Sequence, residues 1–188
     1  MAPALLWGGA GGGLELRAAE DGSARLSGRF PYETETDLGP RRWEKIGGRA
    51  FRARIEAGEE IHLLLGHDFN RPLASTRAGS LRLEDRDDAL VFEATLDPAV
   101  ADSTTGRDAL AMVHGRLATG VSPGFVVTSD EVLKLNRGLL RVVRSAELHE
   151  LSVVTRPAYA SAQVAARSWE ITRTIPHRPR RGRGRWRA

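Results

Sequence analysis

The chain has 188 residues, enough for one domain with tails, and 41% of them are hydrophobic, enough for a core. It has no cysteine, which excludes a disulfide scaffold, a cysteine metal site and a thiol nucleophile. The formal charge of +4 belongs to one end: Arg178, Arg180, Arg181, Arg183, Arg185 and Arg187 lie between Pro176 and Ala188 without an acid, and removing these six leaves the body at −2.

Met1 to Gly13 is apolar and glycine-rich, with no basic stretch ahead of its apolar part. It reads as a loose start and not as a signal peptide. Residues 1–23 are therefore expected to be flexible, residues 24–170 to form the domain, and residues 171–188 to form a disordered arginine-rich tail. The apolar runs are short and interrupted, so no segment is expected to span a bilayer.

Ala24 to Pro31 alternates weakly and predicts a strand. Tyr32 to Arg42 is polar and reads as a loop. Trp43 to Phe51 reads as a turn into a short buried segment. Ile61 to Leu65 is a compact apolar strand that Gly66-His67-Asp68 terminates, and the polar, proline-containing stretch Asn70 to Ala78 reads as a loop. Ser80 to Glu84 and Ala89 to Leu96 alternate around the charged turn Asp85 to Asp88, which predicts an antiparallel hairpin with one buried face.

Thr105 and Asp108 have the spacing of a capping box, and Leu110, Val113 and Leu117 follow at helical spacing. The helix should end near Ala118 to Gly120 and deliver the chain to Ser122. Phe125 to Thr128 reads as a strand and Asp130 to Leu135 as a short polar connection. Leu139 to Val143 and Glu147 to Thr155 read as two more strands, closed by Arg156-Pro157. Ala158 to Trp169 suits a second helix. The expected class is α+β and mainly antiparallel, with a sheet that curls into a barrel or packs as a sandwich.

The stretch Gly120-Val121-Ser122-Pro123-Gly124-Phe125 places one hydroxyl among small residues, where the glycines allow a sharp bend. By itself it is a turn serine; beside a base it is a nucleophile. The chain has five histidines. His177 lies in the arginine tail, His114 on the predicted helix, and His62 opens an apolar strand. His67 stands where a buried strand ends and suits a side chain facing a cleft, as a general base or as a strand-end residue bonded to backbone. In Glu147 to Val154, period two puts Glu147, His149, Leu151 and Val153 on one face, and Leu148, Glu150, Ser152 and Val154 on the other. Glu150 among apolar neighbours asks for a partner such as a protonated imidazole, unless the strand lies at an edge and the acid is solvated.

Five blocks in order resemble the phage prohead maturation proteases of tailed viruses, the Hong Kong-97 type. They are Ile46-Gly47-Gly48-Arg49-Ala50-Phe51; Leu65-Gly66-His67-Asp68 with Arg71-Pro72-Leu73-Ala74 and Ala78-Gly79-Ser80-Leu81; Gly106-Arg107-Asp108-Ala109-Leu110; the serine block from Gly120 to Phe125; and Glu147 to Ala158. The resemblance runs from about Gly28 to about Ala158. It implies a serine endopeptidase with a herpesvirus-assembly-protease-like β-barrel flanked by helices. It makes Ser122 the nucleophile, His67 the base and Glu150 the third member, with His149 as the rival for that place. Pro123 departs from the larger apolar residue usual after the serine and removes one N–H where an oxyanion donor is wanted, which points to Gly124 or the loop after Val154.

The resemblance also implies the setting: the assembling prohead in the host cytoplasm, with the major capsid protein and its scaffolding segment as substrate, together with self-cleavage and self-association. No cofactor, metal or membrane partner is expected. A different class of reading is a non-catalytic capsid-assembly scaffold, or a nucleic-acid-binding structural protein that uses the basic tail. Six clustered arginines can bind phosphate, and Trp186 can stack on a base.

Overall fold

The computed structural model describes residues 14–155. The helix expected over 158–169, the loop after Val154 beyond residue 155, and the basic tail over 171–188 with His177 lie outside the described residues. In chain order the elements are β1 (Leu14–Ala18), β2 (Ala24–Pro31), β3 (Thr36–Gly39), β4 (Arg42–Ile46), α1 (Arg52–Glu56), β5 (His62–Leu65), β6 (Asp68–Ser75), β7 (Leu81–Asp85), β8 (Ala89–Leu96), α2 (Pro98–Asp102), α3 (Thr104–His114), β9 (Gly120–Leu135) and β10 (Gly138–Val154).

The strands form two sheets. The first is wholly antiparallel, in the order β1-β2-β8-β7. Its inward face is the predicted one, with Leu26, Leu81, Leu90, Phe92, Ala94 and Leu96 all buried. β1 falls inside the segment expected to be flexible: Leu14 is buried and pairs with Gly28, and Leu16 packs against the core.

The second sheet runs β3-β4-β10-β5-β6, with β9 also pairing along β10. It is mixed, because β4 and β5 both run parallel to β10. The class is thus α+β and mainly antiparallel. These pairings give two open sheets, and no pairing among the described residues closes them into a barrel. One hydrophobic core joins the sheets; Phe51 is fully buried and stacks at a tilt on Phe125 with ring centroids 5.5 Å apart.

Several local readings need correction. The stretch from Asn70 lies in the edge strand β6, where Pro72 is tolerated because its missing N–H need not serve an inner ladder. Ser103, not Thr105, caps α3: its hydroxyl accepts from the N–H of Gly106, and Asp108 instead pairs with Arg71. The helix stops at His114, and Leu117 is exposed. The two strands expected after Gly138 are one continuous β10, and the polar Asp130 to Leu135 is the outer half of β9. Alternation is absent there because most of that half is exposed.

Candidate active site

β5 and β6 are joined by a two-residue turn, Gly66-His67, closed by the pair Leu65 and Asp68. Both central residues have positive φ, 71° and 61°. This is the hairpin turn that matches the twist of its strands, with glycine first and a histidine, one of the residues enriched in left-handed backbone, second. The turn is pinned to β10 twice. Gly66 N–H donates to the Val153 carbonyl at 3.1 Å, and His67 N–H donates to Ser152 Oγ at 2.8 Å.

β10 supplies the acid. A register shift between Leu148 and Glu150 resets the alternation there. Leu148, Leu151 and Val153 therefore all join the core, while Glu150 and Ser152 reach the His67 turn. The continuous period-two reading, which put Leu148 on the face of Glu150, is corrected by this bulge. The His67 Nδ1–H donates to Glu150 Oε1 at 2.7 Å, and Ser152 Oγ–H donates to Glu150 Oε2 at 2.6 Å. Both oxygens of a carboxylate only 4% exposed are thereby engaged.

Ser122 lies in β9, not at a bend. It pairs across the ladder with Ser152, as Gly124 does with Glu150. Residues directly opposite in an antiparallel pair project to the same face, so Ser122 stands beside the Ser152 hydroxyl that holds the His67 turn. Neither Gly120 nor Gly124 has positive φ, so neither glycine is needed for a bend. Pro123 fits β9 because that strand pairs only with β10 among the described residues. Ser122 is fully buried. Its Oγ and the Nε2 of His67 are both buried, and neither has a hydrogen-bond partner among the described residues. Buried polar atoms are seldom left so, and a catalytic role is one of the explanations for such an atom; Arg54 Nε and Asp85 Oδ2 also lack a hydrogen-bond partner among the described residues.

The electrostatics follow from the contacts. The hydrogen bond to Glu150 raises the His67 imidazole above its ordinary value; burial opposes this and the carboxylate's charge adds to it. With Nδ1–H committed to a carboxylate, the neutral ring keeps its lone pair on Nε2.

The other histidines lie elsewhere. His149 turns to Arg54, whose guanidinium donates to Nδ1 at 2.7 Å, and lies 3.8 Å from Glu147. His62 meets Glu60 and the edge of Phe69. His114 is exposed at the end of α3. The site thus brings His67 to Glu150 and leaves His149 out. Ser152 is the residue that sequence reasoning passed over, although it shares a face with Glu150.

A family model described as the caudovirus prohead serine protease matches residues 13–175. The chain belongs to that family. The match takes in all the described residues, with Ser122, His67 and Glu150 among them. Comparison with curated proteins and with solved structures returned no match. Among the described residues, no helix of this family member is long and apolar enough to cross a membrane. No group of three or more His, Asp or Glu side chains among them is placed to hold a metal ion.

Proposed function

We propose that the chain is a serine endopeptidase in which Ser122 is the nucleophile, His67 the general base and Glu150 the group that orients the base. Its substrates are the scaffolding segment of the major capsid protein and the chain itself. It acts inside the assembling prohead, in the host cytoplasm, where copies of it associate.

Three observations support this reading: a carboxylate holds the His67 imidazole by Nδ1, Ser122 Oγ and His67 Nε2 are buried without partners and do not bond to each other here, and Ser152, opposite Ser122 on the ladder, accepts the His67 N–H. His67 Nε2 takes the hydroxyl proton as Ser122 Oγ attacks a peptide carbonyl. Glu150 fixes the tautomer and stabilises the imidazolium that forms. The leaving amine takes that proton, and water then releases the acyl group by the same route in reverse. Ser122 has no exposed surface, so the cover over it has to open for a peptide to enter. The herpesvirus-assembly-protease-like barrel belongs to the same reading and rests on the family resemblance.

Co-expression with the neighbouring capsid protein, followed by mass measurement of the products, tests the proposal. The wild-type chain should shorten the capsid protein and the Ser122→Ala chain should not. Continued processing by Ser122→Ala would overturn it.

A further inference from the structure

Ser152 is fully buried, carries no charge and plays no part in the chemistry above. Its hydroxyl nevertheless joins the two halves of the site. One lone pair accepts the backbone N–H of His67, and its single hydrogen goes to Glu150 Oε2. We propose that Ser152 is a positioning residue for the reaction, a clasp that sets the His67 turn and the Glu150 carboxylate at a fixed spacing. This rests on the peptidase reading of Ser122 and His67.

His67 is one of the few non-glycine residues here with positive φ, and that backbone persists only where its surroundings hold it. The hold comes through two successive N–H groups of the turn, that of Gly66 to the Val153 carbonyl and that of His67 to the Ser152 side chain. Glu150 is held from two sides as well, because a carboxylate with one oxygen on imidazole can still rotate until the second is fixed. The Ser152 hydroxyl fixes it. Without that hydroxyl, as in Ser152→Ala, the His67 N–H would lose its acceptor and Glu150 Oε2 would be freed. Nδ1 and Oε1 would then drift from their 2.7 Å contact. Ser152 also faces Ser122 across the ladder, so one hydroxyl aligns the base on the strand beside the nucleophile.

The test has two arms. In full-length Ser122→Ala protein, which should not cut itself, the His67 ring is titrated by NMR with and without Ser152→Ala. The His67 midpoint should fall in the Ser152→Ala protein as the Glu150 contact loosens. In the chain with Ser122 intact, Ser152→Ala should slow cleavage of the co-expressed capsid protein roughly 10- to 100-fold, the scale of one lost hydrogen bond to a charged group. Ser152→Cys keeps the shape of the side chain, with a larger atom that is only a weak donor and acceptor. It should move both readouts the same way, and it serves if the alanine protein does not fold. A His67 midpoint that stays put or rises, or an undiminished rate, overturns the clasp while a dead Ser122→Ala leaves the peptidase reading standing. Cleavage by Ser122→Ala removes that reading instead.

Discussion

Gly124 lies so close to Glu150 that a Cβ at position 124 would stand 2.8 Å from the carboxylate carbon and 3.0 Å from Cγ, and would overlap Oε1. The glycine is there for room, since its φ is ordinary. Gly124→Ala must therefore push the carboxylate off His67. A displacement near 1 Å in such a site costs roughly 10²-fold in rate. The variant should lose about that much capsid processing and keep its circular-dichroism spectrum. Full activity in Gly124→Ala would mean that the carboxylate is not needed where it sits.

The raised imidazole of His67 sets a pH dependence. The base works only when unprotonated, so kcat/KM should rise with pH through a limb above the usual histidine value of about 6.5. In Glu150→Gln the charge and the strong acceptor are gone while burial remains. The limb should move down, and the rate on its plateau should fall roughly 10²- to 10⁴-fold through loss of the held tautomer. The same shift appears in stability. A group with a raised native pKa contributes stability that is whole below its unfolded pKa and is lost as pH rises through the native one. The His67–Glu150 contribution should thus fade above the limb and be missing in Glu150→Gln.

His149 was the rival for the third place, and its surroundings give a separate expectation. It sits against Arg54 and makes no contact with the His67 turn among the hydrogen bonds and ion pairs of the described residues. His149→Ala should leave the cleavage rate within about twofold, because its ring bonds to Arg54 and not to His67 or Glu150. A loss comparable to that of Glu150→Gln, in a parallel rate measurement, would reverse the assignment.

The sequence revealed the parts of this site more readily than their geometry. Leu65-Gly66-His67 announced a strand end, and the turn is indeed there, because a glycine followed by a histidine tolerates positive φ at both positions. The buried acid next to Leu151 announced a partner, and the partner is His67. Ser122 was read as a bend because glycine and serine dominate turns. In fact it is a strand residue, and Gly124 is spared a side chain to make space for one remote in sequence. No local pattern carries that information. The parallel pairing of β10 with both β4 and β5 was equally illegible, since it joins segments separated by most of the domain. β9 and β10 read as fragments because bulges break their period, and because the outer half of β9 leaves the core.

Far from the site, Arg141 lies almost buried on β10, with Nε 2.7 Å from Asp130 and one guanidinium nitrogen 3.4 Å from Glu44. Glu44 is also buried, and burial raises its carboxyl while the Arg141 charge pulls it back down. Arg141→Ala would leave that carboxylate in the interior without this partner, a change that costs about 3–5 kcal/mol when a buried pair is broken. The cost depends on pH in a defined direction. Without Arg141 the native pKa of Glu44 rises further, so between the unfolded and native values the folded chain binds more protons than the unfolded one. Stability then falls as pH rises. Urea unfolding of Arg141→Ala should therefore show the largest loss at neutral pH and partial recovery on acidification, as Glu44 takes up a proton. Glu44→Gln combined with Arg141→Ala should remove that pH dependence. A loss independent of pH in the single variant would show that Arg141 acts through packing of its stem and not through its charge.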